Sequence, residues 1–323
     1  MPRHARLDVP GALHHIMVRG NNKTVIFRDE TDRRRFIDRL GETVTEAGSS
    51  IYAWVLMNNH VHLLFKSGDK GISAVMRKLL TWYAIYFNRR HRRTGHLFDN
   101  RYKSVLCEED SYLLTLIRYI HLNPLRAKVR TTMEDLDHFP WSGHRALMGK
   151  TAHAWMDTAY VWAQFGNTKR KAITAYRLFV EQGMGKGHSS ELSGGGLVRS
   201  IGGWSQVVAA HHRGEKMEYD DRILGSGPFV SQVLHDTEEG QRRQLRARTS
   251  GMTIELIIAQ ECEKARISPD ELTQGSRRKM VSTVRSQVAW RAIHELGLSS
   301  AEIARHLGVA TSSITRAIAK REQ

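Results

Sequence analysis

His60-Val61-His62 opens a short segment, HVHLLFK, whose composition reads as a β-strand. Successive side chains of a strand point to opposite faces, so His60 and His62 share one face and Val61 takes the other. Two imidazoles on one face can hold one divalent cation. The competing reading is two ordinary histidines in a chain that has 17. A second candidate is Arg118-Tyr119-Ile120-His121-Leu122-Asn123-Pro124. On a helix, Tyr119 and Asn123 stand one turn apart on a shared face, which brings a phenol hydroxyl and an amide oxygen together. The competing reading is a tyrosine at the edge of a core, followed by a helix-ending Asn before Pro124. Tyr112 lies on the face of Tyr119, but Leu116 follows it where an Asn or Gln would be needed. Tyr83 and Tyr86 read as packing residues, and His121 as a structural histidine pointing away from Tyr119. His14 and His15 fall on the first strand. One of them could approach a substrate, and neither is assigned a catalytic role.

The elements that must position these residues follow from periodicity and turn signals. Residues 12–18 (ALHHIMV) are strand-like after the turn pair Pro10-Gly11. Residues 29–48 form a helix with Phe36, Ile37, Leu40, Val44 and Ala47 on one side, ended by Gly48. Residues 51–57 and 60–66 form a hairpin about Asn58-Asn59. Residues 71–93 form a long helix and 102–107 another strand. A helix capped by Asp110 then runs through Tyr119 toward Asn123-Pro124, where proline discourages continuation. The order β-α-β-β-α-β-α predicts an α+β fold: one antiparallel sheet with helices packed on one face. The domains expected are residues 1–150, a connector over 151–250, and a helical domain over 251–323. In the connector, 158–182 is helical and 183–203 a glycine-rich linker. Its GMGKGHSS lacks the spacing of a phosphate-binding loop, so no nucleotide cofactor is expected.

Composition narrows the function classes. The 323 residues carry 49 Lys+Arg against 33 Asp+Glu, a net charge of +16. Residues 1–150 hold 25 of the bases and 15 of the acids, so +10 of that excess lies there. Such a field attracts polyanions, chiefly nucleic acid. A hydrophobic content of 41% fits a core-forming chain and excludes a disordered or collagen-like one. No apolar run nears the ~18 residues of a membrane span, and MPRHARLDVPG does not read as a secretory leader. Two distant cysteines, Cys107 and Cys262, argue against a disulfide framework. A cytoplasmic, nucleoid-associated bacterial protein is expected.

NNHVHLL followed about 55 residues later by RYIHLNPLRA resembles the single-tyrosine HUH transposases, and more narrowly their REP-associated type. HHIMVRGNN and GHLFDNRYKS resemble the same family, over roughly residues 5–148. The resemblance implies a ferredoxin-like nuclease domain acting on single-stranded DNA, often beside a hairpin. It implies Tyr119 as nucleophile, with His60, His62 and Asn123 holding Mg²⁺ or Mn²⁺. Attack would leave a 5′-phosphotyrosine and a free 3′-OH, retaining the ester energy for rejoining without ATP. A tyrosine hydroxyl ordinarily titrates near ~10, so it must be activated and held in line. Arg19, Arg89, Arg90, Arg92, Arg93, Arg101, Lys103 and Arg126 are the phosphate-contact candidates. The chain could be a monomer or a homodimer. Two other readings remain open: a non-catalytic DNA-binding regulator, and a replication-initiator-type nickase.

Near the C-terminus, residues 299–307 and 311–321 read as two helices joined by Gly308-Val309, a helix-turn-helix pattern with Ile303, Ala304, Leu307, Val309 and Ile314 inside. Ser299 and Glu302 match a capping box. Residues 252–321 resemble the DNA-binding domain of the bacterial replication initiator DnaA, whose basic loop corresponds to Arg277, Arg278 and Lys279, with Arg285 behind it. That family's G-R-D-H-T-T-V is replaced here by GVATSSI, so a different duplex site is expected, read by Thr311, Ser312, Ser313, Thr315 and Arg316.

Overall fold

The computed structural model describes residues 7–68, 71–99, 101–185, 220, 222–237, 251–274, 276, 278–298 and 300–319. The chain divides into two units, 1–231 and 232–323.

In the first unit the expected order appears. It runs β1 (Leu13–Arg19), α1 (Glu30–Glu46), β2 (Ser50–Leu56), β3 (His60–Lys66), α2 (Gly71–Arg90), β4 (Lys103–Cys107) and α3 (Glu109–His121). A short turn of helix, α4 (Asn123–Arg126), follows α3 directly, with Pro124 in its first turn where a missing N–H costs nothing. Asp29 caps α1 by accepting from the Asp32 N–H, while α3 starts two residues earlier than expected, with Glu108 in place of Asp110 in the cap position. The sheet order is β2-β3-β1-β4-β5, where β5 (Ile223–Leu224) joins the edge in parallel and the other pairs are antiparallel.

Register decides which residues share a face. Across β1 and β3, Met17 opposes His62, Arg19 opposes His60 and His15 opposes Leu64. His15, Met17, Arg19, His60 and His62 therefore line one face. Ile16, Val18, Val61, Leu63 and Phe65 line the other and are almost fully buried. The α+β class with an antiparallel sheet stands as read, but the expectation of helices on one face needs correction. The β1-α1-β2 and β3-α2-β4 crossovers share the right-handed sense, which places α1 and α2 together on the Val61 face. The face of His15 and His62 is covered by α3.

The expected connector is also corrected. α5 (Met133–Asp137) and α6 (His144–Leu147), within the expected first domain, and α7 (Thr158–Ala163) and α8 (Lys169–Glu181), within the expected connector, all lie in the first unit and join the same core through Leu136, Leu147, Val161, Tyr176 and Val180. The single helix read over 158–182 is two, each with its own cap, Asp157 and Thr168. Residues 186–203 of the expected glycine-rich linker lie outside the described residues.

The second unit contains α9 (Ile254–Ala265), α10 (Pro269–Thr273), α11 (Lys279–Leu296), α12 (Ser300–His306) and α13 (Thr311–Ala319), around a core of Ile257, Val284, Val288, Ile303, Leu307 and Ile314. The turn between α12 and α13 depends on Gly308. Its φ is +62°, and a Cβ there would stand 2.2 Å from the Thr273 carbonyl oxygen. The capping box expected at Ser299 lies outside the described residues. No described helix is long and apolar enough to cross a membrane.

Candidate active site

α3 is anchored to β3 at its far end by the Lys66–Glu109 ion pair. From Glu109 to Tyr119 the helix rises about 15 Å. From Lys66 back to His62 the strand covers about 14 Å. The two lengths match, so a helix laid along β3 from that anchor delivers Tyr119 to His62. The ring centroids of Tyr119 and His62 are 6.0 Å apart, edge to face, and those of His60 and His62 are 5.2 Å apart. Tyr119 is 6% exposed, so its ring is part of the packed site.

Both histidines are poised as neutral ligands. The Asn59 amide nitrogen donates to the Lys23 carbonyl, at 3.0 Å, which turns its oxygen toward His60. That oxygen lies 2.7 Å from His60 Nδ1 and can only accept, so Nδ1 carries the proton and Nε2 keeps its lone pair. Burial, with the Arg19 cation alongside, pushes His60 down to about 4. Burial also holds His62 well below the ordinary imidazole value, reinforced by its neighbours His15 and His60. Both rings are therefore uncharged near neutral pH. His62 Nδ1 lies 3.0 Å from His15 Nε2.

Asn123 meets its expected position one turn after Tyr119. Its amide nitrogen donates to the Tyr119 and Ile120 carbonyls at 3.0 and 3.2 Å, leaving its oxygen the part suited to a cation. The donor set tested for Mg²⁺ or Mn²⁺ is thus the bare Nε2 of His60, the imidazole of His62 and one amide oxygen. It fits a divalent ion chemically, and Mn²⁺ accepts nitrogen more readily than Mg²⁺ does. Among the described residues, no cluster of three His, Cys, Asp or Glu forms an alternative metal site.

The expected phosphate contacts separate into two groups. Arg19 is exposed beside His60, and Arg89, Arg92, Arg101 and Lys103 are exposed. Arg126 takes a more intimate place: its guanidinium is 5.2 Å from the centre of the Tyr119 ring and reaches the Tyr119 carbonyl. Arg90 is a correction, because Asp29 and the buried Asp32 hold it in ion pairs that join α2 to the start of α1. Arg93 is engaged with Asn88 and the His96 carbonyl. In the second unit, Arg285 is also a correction. It is 9% exposed and donates to the Leu272 and Ser276 carbonyls, clamping the α10–α11 loop. Arg278 is exposed and pairs with Glu271, and Lys279 is exposed. Arg277 lies outside the described residues. Thr311, Ser312 and Arg316 are exposed on α13, with Ser313 and Thr315 half-buried.

Sequence reasoning missed the place of His15, which touches both His62 and Tyr119. The signal was the adjacent pair His14-His15, which puts one imidazole on each face of β1; the β1–β3 register decides which one meets His62. His14 is instead buried on the opposite face. His121 is structural, as read: its Nδ1 lies 2.8 Å from the Tyr176 hydroxyl.

Residues 9–123 match the family described as transposase, IS200 like. The match spans β1 to the asparagine that follows α3, about a third of the chain, and contains His60, His62, Tyr119 and Asn123. A solved structure described as a REP-associated tyrosine transposase bound to a REP hairpin aligns with a TM-score of 0.38 and 15% identity, covering 49% of this chain and 98% of that one. No curated protein matches the chain.

Proposed function

We propose that the IS200-like domain cuts and rejoins single-stranded DNA at hairpin-bearing repeats, with Tyr119 as the nucleophile. The observation that carries this reading is the meeting of Tyr119 with His62, brought together from a helix and a strand in a domain of transposase type. In the reaction, the Tyr119 hydroxyl oxygen bonds to phosphorus and the bond from phosphorus to the 3′ oxygen breaks. The proton lost by the phenol is balanced by the one that the 3′ oxygen gains. The products are a 5′-phosphotyrosine and a 3′-OH, and attack by a 3′-OH on the phosphotyrosine reverses the step.

His60, His62 and Asn123 would hold Mg²⁺ or Mn²⁺, which when bound polarises a non-bridging oxygen of the scissile phosphate. Arg126, over the Tyr119 ring, favours the developing phenolate by its charge. Arg19, Arg89, Arg92, Arg101 and Lys103 supply phosphate contacts. In the second unit, α13 would read duplex DNA through Thr311, Ser312, Ser313, Thr315 and Arg316, as the N-terminal residues of a recognition helix do.

The test is a labelled hairpin-bearing single strand incubated with the protein and Mg²⁺ or Mn²⁺. A denaturant-resistant protein–DNA adduct is expected from the native chain, lost in Tyr119→Phe and lost in EDTA. No adduct with either metal across a panel of hairpin substrates overturns the enzymatic reading in favour of a DNA-binding regulator. Loss in Tyr112→Phe with retention in Tyr119→Phe overturns the nucleophile.

A further inference from the structure

His15 is the side chain that links the two halves of the site. It sits on β1, diagonally across from His62 on the same face, a spacing that long or ring-bearing side chains can bridge. Its ring is stacked on that of His62, with centroids 5.2 Å apart, and stands edge-on to Tyr119 at 5.8 Å. It is 2% exposed and His62 is 7% exposed, so bulk water does not compete for the bond between them.

That bond, 3.0 Å from His15 Nε2 to His62 Nδ1, needs one ring to donate and the other to accept. If His15 donates, the His62 proton moves to Nε2, and His62 cannot bind a cation there. If His62 donates from Nδ1, its Nε2 is bare. His60 already shows the second arrangement, fixed by the Asn59 oxygen. Metal-binding histidines in general donate their other ring N–H to an acceptor, which sets tautomer and orientation. We propose that His15 is a positioning residue whose Nε2 accepts the Nδ1–H of His62 and thereby keeps His62 Nε2 available as a ligand. His15 then acts on His62 as Asn59 acts on His60, through an acceptor from a different strand. The proposal rests on the metal-binding reading of the site, and its first test does not.

The first test reads the tautomer in the metal-free full chain, by long-range ¹⁵N–¹H correlation with labelled histidine, His62 being assigned from the signal lost in His62→Gln. The expected result is His62 protonated on Nδ1. A His62 protonated on Nε2 overturns the proposal. The second test is Mn²⁺ binding, followed by electron paramagnetic resonance of the free ion. His15→Leu, which removes the acceptor, is expected to weaken Mn²⁺ about 10- to 100-fold, and His15→Gln, which restores an acceptor, to recover most of that loss. Thermal melting reports whether each variant is folded. A folded His15→Leu that binds Mn²⁺ like the native chain overturns the proposal, as does a folded His15→Gln no better than His15→Leu. Mn²⁺ affinity unchanged in His62→Gln would instead show that the metal-binding reading has failed, whatever the tautomer.

Discussion

Burial keeps single imidazoles of this domain from taking up a second proton. Burial brings His14 down to about 4 and lowers His144 despite its contact with Asp137. In the unfolded chain the same imidazoles take up a proton near ~6.5. Between about 4 and 6.5 the unfolded state therefore binds more protons than the folded one, so stability is present above that window and is lost as pH falls through it. Thermal melting should give a clearly lower Tm at pH 5 than at pH 7.5, and His14→Gln should flatten the difference. The same scale explains the two corrected arginines. Charge alone made Arg90 and Arg285 candidates for phosphate. One answers the buried carboxylate of Asp32, and the other answers carbonyls that close a loop.

Among the elements, the strands were the most legible. HVHLLFK was read to its exact ends because an apolar row at 61, 63 and 65 leaves one register that buries it. Helix α3 was legible from its apolar residues and from Pro124. The layer behind it was not, since α5, α6 and α7 are each six residues or fewer and too short to show a period. That layer carries a buried chain of polar groups: Arg177 to Asp137, Asp137 to His144, and His144 and His121 to the one hydroxyl of Tyr176. It ties α8 to α3, two residues beyond Tyr119. Tyr176→Phe should leave two buried imidazole nitrogens without a partner, at about 1–3 kcal/mol. Urea unfolding should show the loss of stability, and adduct formation by Tyr119 should slow with it. Unchanged stability would mean that the hydroxyl is not the bridge.

For the whole molecule, internal pairing leaves the net charge of +16 as it is, because the acids that hold cations such as Arg90 are already subtracted in it. Affinity for a generic single strand should still fall steeply between 50 and 200 mM salt, with a log–log slope of roughly −0.7 per phosphate contacted. Arg19→Ala should reduce that slope by about one contact, whereas Arg90→Ala should lower Tm and leave the slope unchanged; fluorescence anisotropy across a salt series checks both. One small detail governs the first unit. The Tyr119 carbonyl receives Asn123 from the next turn and Arg126 from beyond it. Tyr119, Asn123 and the cation over the ring are thus riveted into a single jaw, while His15, His60 and His62 form the opposing one on the sheet. Chemistry between rigid jaws has one adjustable coordinate, the gap between them. Anything that shims α3 away from β3 retunes every distance between Tyr119 and the sheet histidines at once, without altering any of those residues.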